Sequence, residues 1–209
     1  PSIDLAKEIA QNSKLDFNPI EKYGGVGSSI GWEEGYLVAM QLPVTTESTQ
    51  AKKDVTTTLQ AIDELNIPTL WVCPNVDAGS DGTSNGIRTF RELHQPENIH
   101  FFKNMEPNDF LRLLKNSDCL IGNSSVGIRE CSYLGVPVVN VGTRQNRRQR
   151  GENVIDVMYE KESIKEAIKN RIDVENFEPE YIYGDGVAGI KIAEILAEIP
   201  LHFHKTITY

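Results

Sequence analysis

The sequence predicts an α/β fold, a three-layer Rossmann-like parallel sheet with helices on both faces. From residue 35 to residue 172, short apolar runs of strand type alternate with longer stretches of helix type. Each parallel connection needs a crossover, so this alternation is typical of a doubly wound sheet. The clearest unit is LIGNSSVGIRECSYLGVPVVNV, residues 120–141. It has the pattern strand, small-residue turn, helix and strand, which is half of such a sheet.

Each element is predicted from a local pattern. Strands are predicted where apolar and β-branched residues run together, at residues 35–41, 67–73, 99–103, 119–121, 136–141 and 153–157. Helices are predicted where apolar residues recur at spacings of three and four, as at Val55, Leu59, Ile62 and Leu65. The helical segments are residues 3–11, 48–65, 85–93, 107–115, 126–134, 162–172 and 187–199.

Glycine, proline and asparagine mark the boundaries between these elements. Gly135, with Pro137 just beyond it, predicts the end of the helix at residues 126–134. Residues 12–34 hold Asn, Pro and several Gly, and predict an irregular, partly mobile connection. Asp185 precedes the last helix and is expected to cap it.

Composition and charge exclude several classes of protein. The 209 residues are 39% hydrophobic and 24% charged, as in a globular domain with its own core. The net charge of -9 argues against binding to nucleic acid or to acidic membrane surfaces. No apolar run approaches the roughly 20 residues of a membrane span. The chain starts at Pro1 without a Met or a signal peptide, which predicts a cut inside a longer protein.

The cysteines and the two terminal histidines predict no metal site. Cys73, Cys119 and Cys131 are odd in number and lie in strand or helix segments. We expect buried, reduced thiols in a cytoplasmic protein rather than a disulfide framework or a zinc set. His202 and His204 would share one face of a strand, but two histidines are too few for a metal, and a polar tail is expected.

The turn at residues 122–125 is the candidate binding site. The first N–H groups of a helix have no intrahelical partner and carry partial positive charge, and the hydroxyls of Ser124 and Ser125 lie beside them. A phosphate fits such a place, although a plain serine cap needs no ligand. Glu130, early in the same helix, favours a ligand, because its carboxylate is placed to accept both hydroxyls of a ribose whose phosphates lie at the turn.

Several motifs together resemble the UDP-N-acetylglucosamine 2-epimerase family. NSS-x-GIRE, LG-x-PV-x-N-x-GTRQ and RGENV follow one another from residue 123 to residue 154. QLPVTTE, PNVDAGS and IYGDG, at residues 41–47, 74–80 and 182–186, extend the resemblance over most of the chain. The resemblance is to the hydrolysing branch, which makes N-acetylmannosamine for sialic acid biosynthesis. The DSGG-x-QEE turn usual in the non-hydrolysing branch is absent from the sequence.

The resemblance implies an architecture and a reaction. Residues 1–209 would be the C-terminal, UDP-binding domain of a two-domain enzyme of the glycosyltransferase-B type. The absent N-terminal domain would carry the acid and base carboxylates. The substrate would be UDP-N-acetylglucosamine, the full-length enzyme a homodimer, and no cofactor is implied. The resemblance leaves catalytic residues in this half unknown.

The resemblance also places UDP on individual residues of this chain. Ser124 and Ser125 would hold the β-phosphate, and Glu130 the ribose hydroxyls. Arg144 would face the diphosphate or stabilise the loop near it. The remaining contacts would come from Asn75 and, where some relatives have a histidine, from Asn104. Turn chemistry is the alternative for Asn75, and a solvated loop arginine is the alternative for Arg144. The neighbouring Arg147, Arg148 and Arg150 are expected to be solvated loop charges.

One position departs from the family. Relatives usually have His-Pro where this chain has Leu42-Pro43. Leucine has no proton to exchange, so another residue takes this role, the activity is altered, or the alignment is shifted by one residue. The alternatives that stay open are another sugar-nucleotide enzyme, such as a non-hydrolysing epimerase, a hydrolase of a diacetamido sugar or the donor half of a glycosyltransferase, and a non-catalytic nucleotide-binding module.

Overall fold

The computed structural model describes residues 1–74, 80–174 and 177–200. The strands in these ranges are β1 (Val26–Gly27), β2 (Leu37–Met40), β3 (Thr69–Val72), β4 (Ile99–Phe102), β5 (Cys119–Gly122), β6 (Val138–Val141) and β7 (Val154–Val157). Within the described ranges they form one seven-stranded sheet in the order β1-β4-β3-β2-β5-β6-β7. Every neighbouring pair is parallel except β1 with β4.

Helices lie on both faces of this sheet. Over the same ranges they are α1 (Ser2–Gln11), α2 (Pro19–Tyr23), α3 (Ala51–Leu65), α4 (Ser80–His94), α5 (Pro107–Lys115), α6 (Ser125–Ile128), α7 (Glu130–Leu134), α8 (Lys161–Ile172) and α9 (Ala188–Glu198). The three-layer, Rossmann-like parallel sheet that the sequence predicts is therefore confirmed. None of the described helices is long and apolar enough to cross a membrane.

The order of the strands reverses direction at β2. From β2 the chain winds outward through β3 and β4, then returns to add β5, β6 and β7 on the other side of β2. The register pairs Leu37 with Cys119 and Met40 with Gly122, so β2 and β5 end level with each other. In doubly wound sheets, ligands bind beyond the carboxyl ends of the strands at such a topological switch point.

The core consists of two apolar layers, one on each face of the sheet. Successive residues of a strand point to opposite faces. Val38 and Leu120 accordingly enter the layer that contains residues of α1, α5 and α7. Leu37 and Ile121 enter the layer that contains residues of α3, α4 and α8. Because both faces are covered, β2 and β5 are fixed in position, and so are the loops that follow them.

The connection expected to be irregular, residues 12–34, contains two regular elements, α2 and β1. Asn18 caps α2, because its Oδ1 accepts hydrogen bonds from the N–H groups of Ile20 at 2.9 Å and Glu21 at 3.2 Å. Pro19 is the first residue of the helix. Asn followed by Pro is a helix-start signal as well as a turn signal, and the composition of the segment had favoured the turn.

Two other helices begin three or more residues away from their predicted starts. α4 begins at Ser80 rather than at residue 85, and α3 begins at Ala51 after a 3-10 turn at Thr45–Glu47. Glycines inside α4 weigh against a helix in a sequence-based prediction. One of them is needed for packing, because a Cβ on Gly86 would lie 2.5 Å from Cγ1 of Val55 in α3.

The helix predicted over residues 126–134 is two short helices, α6 and α7, with a break at Arg129. Arg129 has φ -106° and ψ -74°, away from the helical values of about -63° and -42°. Beyond the break, all residues of α7 are buried. The break therefore redirects the chain into the core, and the helix beside the serine turn is only four residues long.

The cap of the last helix also differs from the prediction. The carboxylate of Asp4 accepts hydrogen bonds from the N–H groups of Ala188 at 3.2 Å and Gly189 at 2.6 Å. Asp185 instead forms an ion pair with Lys191 at 3.0 Å. A residue from the other end of the chain thus caps α9, which local sequence does not reveal.

Candidate functional site

The loops that follow β2 and β5 are joined by the side chain of Asn123, which is fully buried. Its Oδ1 accepts a hydrogen bond from the N–H of Leu42 at 2.7 Å. Its Nδ2 donates to the carbonyl of Leu42 at 2.8 Å. The backbone N–H of Asn123 donates to the carbonyl of Met40 at 3.2 Å. One amide side chain therefore holds both sides of the switch point together.

The loop that follows β6 reaches the same turn. The carbonyl of Asn123 accepts hydrogen bonds from Nε2 of Gln145 at 2.7 Å and from a terminal nitrogen of Arg144 at 3.2 Å. The guanidinium groups of Arg148 and Arg150 donate to Oε1 and to the carbonyl of Gln145, respectively. Arg148 and Arg150 thus stabilise the loop through Gln145, and Arg144 is the arginine that bonds the turn.

An open cleft of about 620 Å³ lies beside these loops, within the size range of small-molecule sites. It is lined by Pro43, Val44, Thr45, Thr46, Glu47, Thr143 and Arg144. The hydroxyl of Thr143 donates to Oε1 of Glu47 at 2.7 Å, which ties the β6 loop to the β2 loop. The charged groups of the lining are one carboxylate and one guanidinium, and the guanidinium suits an anionic ligand.

Tyr159 contacts both the turn after β5 and the loop after β6. Its hydroxyl accepts a hydrogen bond from Nδ2 of Asn123 at 3.4 Å. Its ring packs on Gly142, where a Cβ would lie 2.5 Å from the ring carbons. Burial raises the pKa of Tyr159 to about 12, and the nearby carboxylates of Asp54 and Glu47 act in the same direction. The hydroxyl therefore stays protonated at neutral pH and adds no negative charge near Arg144.

The serine turn shows features of both alternatives. Oγ of Ser124 accepts a long hydrogen bond, 3.4 Å, from the N–H of Val126, so Ser124 is the cap of α6. Ser124 and Ser125 are both partly exposed. Within the described part of the chain, the hydroxyl of Ser125 forms no hydrogen bond. The hydroxyl of Ser124 accepts the bond from Val126 and keeps its own O–H, so both serines have a donor to offer.

Glu130 is buried, with 4% of its surface exposed. Its Oε1 accepts a hydrogen bond from a terminal nitrogen of Arg129 at 3.1 Å. In the described ranges its Oε2 has no hydrogen-bond partner and is screened from solvent. A buried carboxylate oxygen without a hydrogen-bond partner lowers the free energy of unfolding. A hydroxyl donor from a ligand would offset that cost.

The roles of the two predicted asparagines, Asn104 and Asn75, stay predictions. Asn104 is exposed and lies two residues after the end of β4, at the carboxyl ends of the strands. Asn75 lies outside the residues that the structure describes. Arg144 is therefore the predicted residue joined by a hydrogen bond to the loops of the switch point.

Sequence reasoning missed four residues of the site: Asn123, Gln145, Glu47 and Tyr159. Their contacts join residues 22 to 96 positions apart, so no local pattern marks them. Three of them stood inside the motifs named above: Asn123 before the serines, Gln145 at the end of GTRQ and Glu47 at the end of QLPVTTE. An amide beside a small-residue turn was the available signal, because Asn and Gln can satisfy a donor and an acceptor together.

Comparison with known proteins decides the family. A family model described as UDP-N-acetylglucosamine 2-epimerase matches residues 9–197. The chain belongs to the UDP-N-acetylglucosamine 2-epimerase family.

Solved epimerases of this family share the fold described above. The Methanocaldococcus jannaschii enzyme, in complex with UDP-GlcNAc and UDP, superposes with a TM-score of 0.66 at 16% identity, covering 94% of this chain and 52% of that one. The Neisseria meningitidis enzyme, bound to UDP-GlcNAc, gives 0.64 at 17% identity, covering 95% and 52%.

Two curated relatives of this epimerase family member are longer proteins. A UDP-N,N'-diacetylbacillosamine 2-epimerase (hydrolyzing) from Legionella pneumophila is 32% identical over 160 residues, which are 77% of this chain and 42% of the relative. A UDP-N-acetylglucosamine 2-epimerase from Neisseria meningitidis is 31% identical over 186 residues, 89% and 46% of the two chains. The chain thus spans less than half the length of these relatives.

Proposed function

We propose that this chain is the UDP-binding, C-terminal half of a hydrolysing UDP-N-acetylglucosamine 2-epimerase, which releases N-acetylmannosamine and UDP. The observation that carries the proposal is the meeting of Asn123, Arg144 and the serine turn at the switch point of the sheet. The family supplies the substrate class. The N-terminal half would form the other wall of the cleft, and the full-length protein would be a cytoplasmic homodimer in sialic acid biosynthesis.

UDP would bind with its ribose at Glu130 and its β-phosphate at Ser124 and Ser125. α6 has four residues, so its dipole is smaller than that of the nine-residue helix the sequence predicts. Neutralising the diphosphate therefore falls mainly to Arg144, which lies in the cleft and beside the turn. Asn75 and Asn104 would complete the contacts from the loops after β3 and β4.

The reaction would begin with removal of the C2 proton of the sugar by a base while UDP departs from C1, giving a glycal. Water would then add at C1, with protonation at C2 from the other face. The acid and base carboxylates would belong to the N-terminal half. The part played by this half would be to hold the nucleoside and to stabilise the charge that develops on the departing diphosphate.

The relatives favour the hydrolysing outcome and also favour a second substrate. The Legionella pneumophila protein and a Campylobacter jejuni protein, 32% identical over 130 residues, are both hydrolysing 2-epimerases of a diacetylbacillosamine nucleotide. Hydrolysis of a diacetamido sugar nucleotide is therefore the second candidate. Assaying the full-length protein with each sugar nucleotide separates the two substrates. Product analysis then tests the hydrolysing outcome, since a hydrolysing enzyme releases free sugar and UDP whereas a non-hydrolysing one returns a sugar nucleotide.

Leu42 bears on whether the full-length protein is active. Asn123 bonds both the N–H and the carbonyl of Leu42, so the backbone from which a side chain at this position extends is fixed. Restoring the family residue by Leu42→His in the full-length protein tests the non-catalytic alternative. A large gain in turnover would indicate a degenerate enzyme, and an unchanged high turnover would indicate that another residue has taken the role.

UDP is expected to bind this chain at least about tenfold more tightly than UMP, because hydrogen bonds to a charged β-phosphate contribute about 1.5–3 kcal/mol. Isothermal titration calorimetry with both nucleotides measures the difference. Ser125→Ala should reduce the advantage of UDP, while Ser84→Ala, an exposed position on α4, should leave it unchanged. Equal affinities for UDP and UMP in the wild type would mean that the serine turn is only a helix cap.

The chain alone is expected to release no UDP from UDP-N-acetylglucosamine. General base catalysis needs a base within hydrogen-bond reach of the C2 proton, and the cleft carboxylate, Glu47, is engaged by Thr143. The measurement is UDP release against a heat-treated control, with and without a separately made N-terminal half. Steady release by this chain alone would overturn the division of labour, and Glu47→Gln would then be the first variant to test.

A further inference from the structure

Arg129 and Glu130 meet because the helix is broken between α6 and α7. In a regular helix, consecutive side chains point about 100° apart and do not face each other. At the break, φ -106° and ψ -74° at Arg129 bring its terminal nitrogen to 3.1 Å from Oε1 of Glu130. The contact between these neighbours thus lies at the irregular backbone, and a regular helix would not favour it.

The two partners differ in burial. The Arg129 side chain is 37% exposed, whereas that of Glu130 is 5% exposed. A buried carboxylate needs a charge partner and hydrogen bonds to remain in place. Arg129 provides both for Oε1, and Oε2 is left without a partner in the described part of the chain. The arginine therefore determines which carboxylate oxygen is left without a partner in the described part of the buried site.

We propose that Arg129 is a positioning residue that holds Glu130 by Oε1 and reserves Oε2 for a ribose hydroxyl of the bound nucleoside diphosphate. The inference rests on the proposed function, because it takes Glu130 as the ribose contact. It separates two arginines of the site by role. Arg144 faces the diphosphate from the cleft, whereas Arg129 acts on the ligand only through Glu130.

The test compares UDP with 2′-deoxy-UDP by calorimetry in the wild type and in three variants, Glu130→Gln, Arg129→Gln and Arg129→Lys. The wild type should prefer UDP by about tenfold or more, the lower range for a hydrogen bond to a charged group. Glu130→Gln and Arg129→Gln should each reduce this preference to about twofold, with little change in the affinity for 2′-deoxy-UDP. Arg129→Lys, which keeps the charge, should restore part of the preference.

Arg88→Gln is the matched control, because it removes the same charge from an exposed position on α4 and should leave the preference unchanged. Thermal unfolding shows whether each variant is folded at the assay temperature, and Arg129→Met, which keeps the apolar stem, replaces Arg129→Gln if that variant is not. The preference for UDP over 2′-deoxy-UDP is a quantity that a general loss of packing would not change.

Three results would overturn the inference. An unchanged preference in Arg129→Gln would remove Arg129 from the ribose contact and leave the proposed function intact. Equal weakening of UDP and 2′-deoxy-UDP would mean that Arg129 acts on the diphosphate directly. A wild type that binds UDP without preference over 2′-deoxy-UDP would remove the ribose contact of Glu130, and with it the part of the proposed function on which Arg129 depends.

Discussion

Gly122→Ala is expected to lower the free energy of unfolding by about 4 kcal/mol, a loss typical of backbone strain and overpacking together. Gly122 has φ +137°, a backbone conformation that residues with a side chain rarely adopt. The Cβ of an alanine at this position would lie 2.0 Å from the carbonyl oxygen of Met40. That oxygen belongs to the backbone of β2 and accepts the N–H of Asn123, so it cannot move without loosening the switch point. Equilibrium unfolding in urea measures the loss.

Gly31→Ala is the matched control for this substitution. A Cβ at Gly31 meets no heavy atom within 4 Å, and its backbone is not in the positive-φ region. We therefore expect the control to change stability by less than about 1 kcal/mol. A Gly122→Ala variant as stable as the control would show that β2 and β5 can separate at their ends, contrary to the close approach in the structure.

Asn123→Ala is expected to destabilise the protein by about 3 kcal/mol. It removes two hydrogen bonds to Leu42 and leaves the N–H and carbonyl of that residue without their partner. Leu42 is only partly buried, so each group left unpaired costs an amount near the low end of the range for buried groups, about 1.5 kcal/mol. UDP binding should weaken as well, because the turn that carries Ser124 and Ser125 loses its link to the β2 loop. Urea unfolding and calorimetry measure the two effects.

Asn108→Ala is the control for the loss of an amide, since Asn108 is exposed in the first turn of α5. It should change stability by less than about 0.5 kcal/mol and leave UDP affinity unchanged. A stable Asn123→Ala variant with wild-type affinity would show that water replaces the amide at no cost. The switch point would then be held by the sheet register alone.

Much of the fold follows from local sequence patterns. α5 begins and ends at the predicted residues, 107 and 115, because its apolar spacing and its leading proline agree. The parallel sheet follows from the alternation of strands and helices. Predictions failed where a residue type has two uses: Asn18 and Pro19 start a helix as well as a turn, and Gly86 belongs to a helix because Val55 of α3 approaches it.

The site was predicted only in part, for a different reason. Ser124, Ser125, Glu130 and Arg144 stand in motifs, but their contacts with UDP remain predictions. The break at Arg129 and the amide of Asn123 were not foreseen. The break depends on how α7 is buried, and the amide on a loop 81 residues away in sequence. Periodicity carries information about neighbours along the chain and none about partners that tertiary folding brings together.

The distances along the chain between partners at the switch point have a consequence for folding kinetics. Asn123 bonds Leu42 across 81 residues, and Thr143 bonds Glu47 across 96. Closing such long loops lowers the entropy of the chain before the contacts between the loops can form. We therefore expect these bonds to form after the rate-limiting barrier to folding. Asn123→Ala should then accelerate unfolding and leave the refolding rate nearly unchanged, which stopped-flow measurement of both rates would reveal. The bonds that shape the cleft would thus govern how long the native protein persists rather than how fast it forms.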